Sequence, residues 1–214
     1  MSAIVSDRGG YNYSDGGLNA SHVYLMPAII KILQDVLPSD ADRRIFELGC
    51  GNGSVSNELS KRGVEMTGVD TSPDGLRKAK EHYPHLNIFS GSAYDNLAEQ
   101  YGRFPVVLSL EVVEHLYFPR KFAAAVNDLL VPGGTAIIST PYHGYWKNLV
   151  LSLTGKMDAH FTALWDYGHI KFWSMDTLQA LLNETGFENI SFLRVGRIPV
   201  LAKSMIAIAR KPNT

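Results

Sequence analysis

Two neighbouring stretches decide the fold: Ile45-Phe-Glu-Leu-Gly-Cys-Gly-Asn-Gly-Ser54, and then Glu65-Met-Thr-Gly-Val-Asp70. A mainly apolar run, Ile45–Leu48, meets a turn that contains Gly49, Gly51 and Gly53. Glycine tolerates positive φ and lets a ligand come close to the backbone. Val55 and Leu59 then mark one face of a short helix, which Arg62-Gly63 closes. Glu65–Val69 is a second strand-like run and delivers Asp70. Strand, glycine turn, helix, strand and acid make the opening of a βαβ unit. An acid about twenty residues past the glycines is where such units set a carboxylate on ribose hydroxyls.

Two ligands fit that opening. A dinucleotide calls for Gly-x-Gly-x-x-Gly, with its pyrophosphate on the helix N-terminus. Here Ser54 stands in the place of the third glycine, and Gly53 makes the spacing Gly-x-Gly-x-Gly. That variant, preceded by Glu47, resembles motif I of the class I S-adenosylmethionine (SAM) methyltransferases. In that family the loop packs against an amino acid and a ribose, not a diphosphate.

Outward from this unit, helices and strands alternate. Before it, Val23, Met26, Ile29, Ile30, Leu33 and Leu37 recur at helical spacing over Ser21–Leu37, and Pro38-Ser39-Asp40 stops that helix. Residues 1–20 are polar and glycine-rich. They are expected to be a flexible leader over Met1–Gly10 and a lid over the cofactor from Tyr11 to Leu18. After it, Ser72-Pro73 starts a helix that runs to His82. Leu86–Ser90 is a short strand, and Phe104–Leu110 is a continuous apolar run of a strand buried on both faces. Pro119–Leu130 carries Phe122, Val126, Leu129 and Leu130 on one helical face, Pro132-Gly133-Gly134 turns the chain, and Thr135–Thr140 is a further strand. The alternation predicts an α/β fold with a parallel sheet and ligands beyond the strand C-termini. Asp70, Ser92, Glu111 and Tyr142 all follow strand ends. Residues 143–168 break the rhythm and read as a functional insertion, with Trp146, Leu149, Val150 and Leu153 at helical spacing. Ser174 caps a last helix bearing Leu178, Leu181 and Leu182. Ile190–Val195 and Ser204–Ala209 are close enough in sequence to pair antiparallel.

The bulk numbers bound the reading. The 214 residues are within reach of one domain with a real core. A net charge of −1 gives no field for a nucleic-acid backbone, so DNA is excluded as a partner and RNA disfavoured. One cysteine, Cys50, excludes an internal disulfide framework and a cysteine zinc cluster. No apolar run approaches a membrane span, and Met1–Gly10 lacks the core of a signal peptide, so a cytoplasmic location is expected.

The whole order from Ser21 to Arg210 resembles the class I methyltransferase fold, which is Rossmann-like. That fold has seven strands, mostly parallel with the last antiparallel, and helices on both faces. Its marks here are Glu47-Leu-Gly-Cys-Gly-Asn-Gly53, Val69-Asp70, Gly91-Ser-Ala93, Glu111-Val-Val-Glu-His115 and Pro132-Gly-Gly134. The resemblance implies residues 21–214 as the SAM-binding domain, with 143–168 as a substrate lid. It implies SAM as cofactor and S-adenosylhomocysteine as product. Glu47, Gly49 and Gly51 would lie under the methionine end, and Asp70 would take both ribose hydroxyls. Thr71, Ser92 and Ala93 would edge the adenine, and Ser109 and Leu110 would turn backbone carbonyls to the ammonium. Ser92 departs from the Asp usual at its position. A hydroxyl accepts without charge there, a loss of about 1 kcal/mol in adenine recognition.

Glu111, Glu114 and His115 are spaced i, i+3, i+4, which on a helix start shares one face. Glu-x-x-Glu-His, with a later histidine before Lys-Phe, resembles ubiquinone-biosynthesis O-methyltransferases and plant small-RNA 2′-O-methyltransferases. This chain has His169-Ile-Lys-Phe172. The resemblance implies a divalent metal on Glu111, Glu114, His115 and His169. Two carboxylates and two imidazoles suit Mg²⁺, Mn²⁺, Zn²⁺ or Fe²⁺. An oxygen acceptor also needs deprotonating, for which His115, Tyr142 and His143 are the candidates. The expected function is methyl transfer to a small-molecule acceptor, on oxygen. The rival readings are a non-catalytic SAM-binding protein, an RNA 2′-O-methyltransferase and an NAD-dependent oxidoreductase. Peripheral membrane contact through the apolar insertion has little basic charge to support it (Lys147, Lys156).

Overall fold

The computed structural model describes residues 13, 15–37, 42–161, 163–166 and 168–213. The expected leader over Met1–Gly10, Tyr11, Asn12 and Ser14 of the lid, and the Pro38–Asp40 stop lie outside the described residues. A seven-stranded sheet runs in the order β3-β2-β1-β4-β5-β7-β6. The strands are β1 (Arg44–Leu48), β2 (Glu65–Asp70), β3 (Asn87–Ser90), β4 (Phe104–Leu110), β5 (Leu130–Pro141), β6 (Glu188–Val195) and β7 (Ser204–Arg210). The pairs β1–β2, β2–β3, β1–β4 and β4–β5 are parallel, while β7 pairs antiparallel with both β5 and β6. The chain winds outward from β1 through β2 to β3, then returns to β4 on the other side. A crevice therefore opens between the C-terminal ends of β1 and β4, where the direction of winding reverses.

The local chemistry of each helix explains its limits. Asn19 caps α1 (Ala20–Val36) by accepting from the amides of Ser21 and His22. Ser72 accepts from the Gly75 amide and Pro73 occupies the first turn of α3 (Pro73–His82), within the bounds expected. Proline there forgoes only an amide that has no helical partner. Ser174 and Thr177 form a reciprocal cap on α8 (Met175–Glu184). The remaining helices are α2 (Ser54–Ser60), α4 (Leu97–Tyr101), α5 (Pro119–Leu129), α6 (Tyr145–Leu153) and α7 (Met157–Phe161).

Two apolar clusters fill the two sides of the sheet. One gathers Phe46, Val107, Phe122, Val126, Leu129, Leu178 and Leu182, the faces of α5 and α8. The other gathers Leu25, Ile29, Leu33, Ile45, Val55, Leu59 and Val106, the faces of α1 and α2. Among the described residues no helix is long and apolar enough to cross a membrane.

Two local expectations are corrected. Pro132-Gly133-Gly134 does not separate a helix from a strand. It lies within β5, where the register slips between Phe104↔Leu130 and Val106↔Thr135, so the extra residues bulge from a continuous strand. Glu111 does not start a helix. It sits at φ 55, in the left-handed region, and the turn that follows is a 3₁₀ turn, Val113–His115. The spacing i, i+3, i+4 therefore does not put Glu111 on one face with Glu114 and His115.

Candidate active site

The glycine turn is built as a cradle. Gly49, Gly51 and Gly53 all have positive φ, at 87°, 52° and 73°. A Cβ on Gly49 would run into Val112, and one on Gly51 into the Tyr13 hydroxyl, so neither position has room for a side chain. Asp70 closes the cradle. Its Oδ2 accepts from the Gly51 amide at 2.8 Å and its Oδ1 from the Ser72 amide at 2.7 Å. Burial raises its pKa, and those amides hold it back toward ionisation. Glu47 is braced beneath the loop: Ser56 Oγ donates to its Oε2 in a short contact, and burial pushes its pKa up to about 8. The Ser109 hydroxyl is spent on the Leu48 carbonyl at 2.9 Å, tying β4 to β1 across the crevice. Ala93 is buried. Ser92 donates its amide to Asp95 Oδ2 at 2.7 Å and accepts from Tyr94 at 3.2 Å, so a carboxylate stands three residues from the serine. Thr71 lines an open cavity of about 460 Å³ with Pro73, Leu76, Arg77, Lys80 and Ser90, alongside the β2 end.

Beyond β4, three of the four residues expected at a metal come together. Glu114 Oε1 lies 3.9 Å from His115 Nε2 and 3.9 Å from His169 Nε2, and one ligand atom of each residue falls within 4.8 Å of the others. Glu114 is 1% exposed. Its Oε2 accepts from Thr140 Oγ1 at 3.1 Å, while its Oε1 is buried with no hydrogen-bond partner among the described residues. Burial, then the neighbouring Glu111, pushes its pKa well up. The His115 Nδ1 faces the Gly168 carbonyl at 3.2 Å. Burial holds His169 down at about 4. Glu111 stands apart from this group. Its two carboxylate oxygens accept from Ser139 Oγ at 2.8 Å and Ser204 Oγ at 3.2 Å, and Tyr24 joins the chain at Ser204, 2.9 Å away.

The other candidates separate. The Tyr142 ring belongs to the larger core, with the Arg194 guanidinium 5.8 Å above it. His143 enters an aromatic box instead. Its ring lies 5.3 Å from His160, 5.8 Å from Phe161 and 5.1 Å from Phe172. Burial and the nearby Lys147 lower its pKa to about 4. The Trp165 ring centre lies 6.0 Å from that of His115 and 5.5 Å from that of His169, in edge-to-face contact with this other histidine pair. The insertion thus contributes His160, Phe161 and Trp165. Their place inside the insertion was the signal the sequence offered for them. Thr140 and Asn52 went unnoticed. Only the position of each, at a strand end or inside the glycine loop, pointed to a role.

A model of the methyltransferase domain matches residues 22–192. The chain belongs to the methyltransferase-domain family. The ubiquinone biosynthesis O-methyltransferase of Ruegeria pomeroyi is 30% identical over 153 residues, 70% of this chain and 62% of that protein. The protein of the same name from Azorhizobium caulinodans is 31% identical over 153 residues, 68% of this chain and 58% of that one. The chain therefore spans about three fifths of the length of these curated relatives. A SAM dependent methyltransferase from Archaeoglobus fulgidus shares the fold with a TM-score of 0.66 at 18% identity, over 87% of this chain and 93% of that one. The [4+2]-cyclase SpnF shares it too, with a TM-score of 0.63 at 14% identity, over 96% of this chain and 87% of that one. The fold is the class I methyltransferase fold, and by itself it does not dictate the reaction.

Proposed function

We propose that the protein is a SAM-dependent O-methyltransferase for a small hydroxylated acceptor, and that Glu114, His115 and His169 hold a divalent cation beside the cofactor crevice. One observation carries this reading: the buried Glu114 Oε1, without a hydrogen-bond partner among the described residues, faces two imidazole nitrogens at 3.9 Å. A buried carboxylate oxygen without a donor is costly, and a cation removes the cost. One carboxylate and two imidazoles suit Mn²⁺, Fe²⁺ or Zn²⁺ with positions left open. The fit on the cofactor side is the cradle of Gly49 and Gly51 closed by Asp70.

Bound SAM would supply an electrophilic methyl group, and the cation would supply Lewis acidity toward an acceptor hydroxyl. What remains for the chain is alignment, exclusion of water and proton removal. On this reading Trp165, beside His115 and His169, and Phe161 and Phe172, beside His143, offer ring faces to a planar acceptor. With His115 committed to the cation, His143, neutral at pH 7, is the group for the proton. Exposed Tyr145, Trp146 and Leu153 on α6, with Ile198 and Val200 on the turn it packs against, offer an apolar tail a place to lie.

The test is methyl transfer from SAM to a catechol in the full chain, with and without EDTA. Activity lost in EDTA, restored by Mn²⁺ or Zn²⁺ and absent in His169→Ala supports the reading. Full activity in EDTA and in His169→Ala removes the cation from it. Unaltered turnover in His143→Ala removes the base. An RNA acceptor is disfavoured by the net charge of −1, and salt-dependent RNA binding would bring it back.

A further inference from the structure

The chain just before α1 is fastened across the glycine turn. Asn52, 3% exposed, spends both side-chain N–H groups on it, donating to the carbonyls of Asp15 and Gly17 at 2.9 Å each. Its Oδ1 meanwhile accepts from Ser54 within the loop at 3.2 Å. From α3 and the residue just past it, the Tyr83 hydroxyl donates to the Gly16 carbonyl at 2.6 Å, Asp74 Oδ2 accepts from the Tyr13 amide at 3.1 Å, and Lys78 donates to the Tyr13 carbonyl in a short contact. Lys78 and Asp74 are themselves paired at 2.9 Å. The Tyr13 ring lies over two glycines at once. A Cβ on Gly51 would strike its hydroxyl, and one on Gly75 would come within 2.9 Å of its Cε2. Those glycines support Asp70: the Gly51 amide bonds to its carboxylate, and the Gly75 amide bonds to Ser72, whose own amide bonds to Asp70.

We propose that Tyr13 and the backbone of residues 15–17 form a strap that is the outer wall of the SAM pocket on its ribose side, and that strap docking and cofactor binding strengthen each other. This rests on the reading of SAM as the cofactor. The anchors are not shaped by packing alone. A fully committed, buried Asn52 links the floor of the pocket directly to the strap. A ligand on Asp70 lies inside the strap, shielded from water, where polar contacts are stronger. Coupling is reciprocal: whatever factor the docked strap adds to cofactor affinity, the cofactor adds to strap docking. Tyr13 is on this account a binding residue, and Lys78 a positioning residue that acts through it.

The experiment is calorimetric titration of the full chain with S-adenosylhomocysteine, in wild type, Tyr13→Ala and Lys78→Met. It is paired with hydrogen–deuterium exchange at residues 15–17 with and without that ligand. Lys78→Met loosens the anchor while touching neither Asp70 nor the glycine turn, and an unchanged ligand-free melting temperature shows that the fold is intact. The expected result is slower exchange in the wild-type strap on binding, and affinity about tenfold weaker in both variants through faster dissociation, within the usual range of coupling. Wild-type affinity in both variants, or exchange indifferent to the ligand, overturns the strap and leaves SAM as the cofactor. Tighter binding in Tyr13→Ala overturns it too, by making Tyr13 a plug. A wild type that binds no S-adenosylhomocysteine overturns the cofactor reading and the strap with it.

Discussion

The Glu114 backbone holds the segment that follows His169, and the two side chains face each other. The Glu114 carbonyl accepts from the amides of Ile170 and Lys171 at 3.0 Å each, and its Oε1 stands 3.9 Å from His169 Nε2. The backbone pair fixes where the His169 segment lies, so at the proposed cation site little ordering would be left to accompany binding.

Thr140 donates to Glu114 Oε2 at 3.1 Å and would be the outer support of the proposed site. Removing such a support usually costs a metal site about 10–100-fold in affinity. Thr140→Val is expected to weaken Mn²⁺ or Zn²⁺ binding by that factor in a calorimetric titration, and His169→Ala to abolish it. Equal affinity in wild type and His169→Ala would remove these residues from any cation.

Asp70 accepts two backbone amides and is expected to take the ribose as well. Asp70→Ala should cost S-adenosylhomocysteine about 3 kcal/mol, near 100-fold, on the scale of two hydrogen bonds to a charged acceptor. Calorimetry reads it directly, and binding within a factor of about two of wild type would displace Asp70 from the ligand.

Glu47 gives a pH dependence with a definite sign. Its pKa rises from an ordinary 4.5 to about 8 because burial penalises the carboxylate. The folded state thus holds a proton that the unfolded state releases. Stability is fully present below pH 4.5 and declines as pH rises toward 8, by on the order of a few kcal/mol. Glu47→Gln keeps an acceptor for Ser56 and should flatten that decline in urea titrations between pH 5 and pH 9. An unchanged slope would show that the carboxylate finds water or a cation.

Phe122 is completely buried between α5 and the sheet. Phe122→Ala should destabilise the protein by about 3–5 kcal/mol in urea unfolding, with methyl-transfer geometry untouched. A loss under about 1 kcal/mol would mean that the cluster collapses into the void.

Much of this was legible in one dimension because its causes are local. Ser72-Pro73 set the start of α3, and Gly-x-Gly-x-Gly before a helix set the cradle. The apolar run Phe104–Leu110 gave the central strand its bounds. The expectations that changed depended on backbone conformation that residue type does not dictate. Glutamate seldom adopts positive φ, yet Glu111 does, held by its own amide on Ser139 and its carboxylate on Ser139 and Ser204. The expected four-ligand group consequently forms with three. Pro132-Gly133-Gly134 had the composition of a turn, but pairing with β4 on both sides absorbed it as a bulge.

The sequence by itself determined the layered α/β order, the glycine cradle and the acid opposite it, because periodicity, caps and glycine placement act over a few residues. Only the tertiary structure decided which polar groups meet. Glu114 finds His169 through amides that follow that histidine, Asn52 finds the carbonyls of Asp15 and Gly17, and Glu111 goes to serines of β5 and β7. Such pairings join segments far apart in the chain. They exist because burial leaves each donor and acceptor no water to turn to, and which partner is in reach depends on the packed sheet.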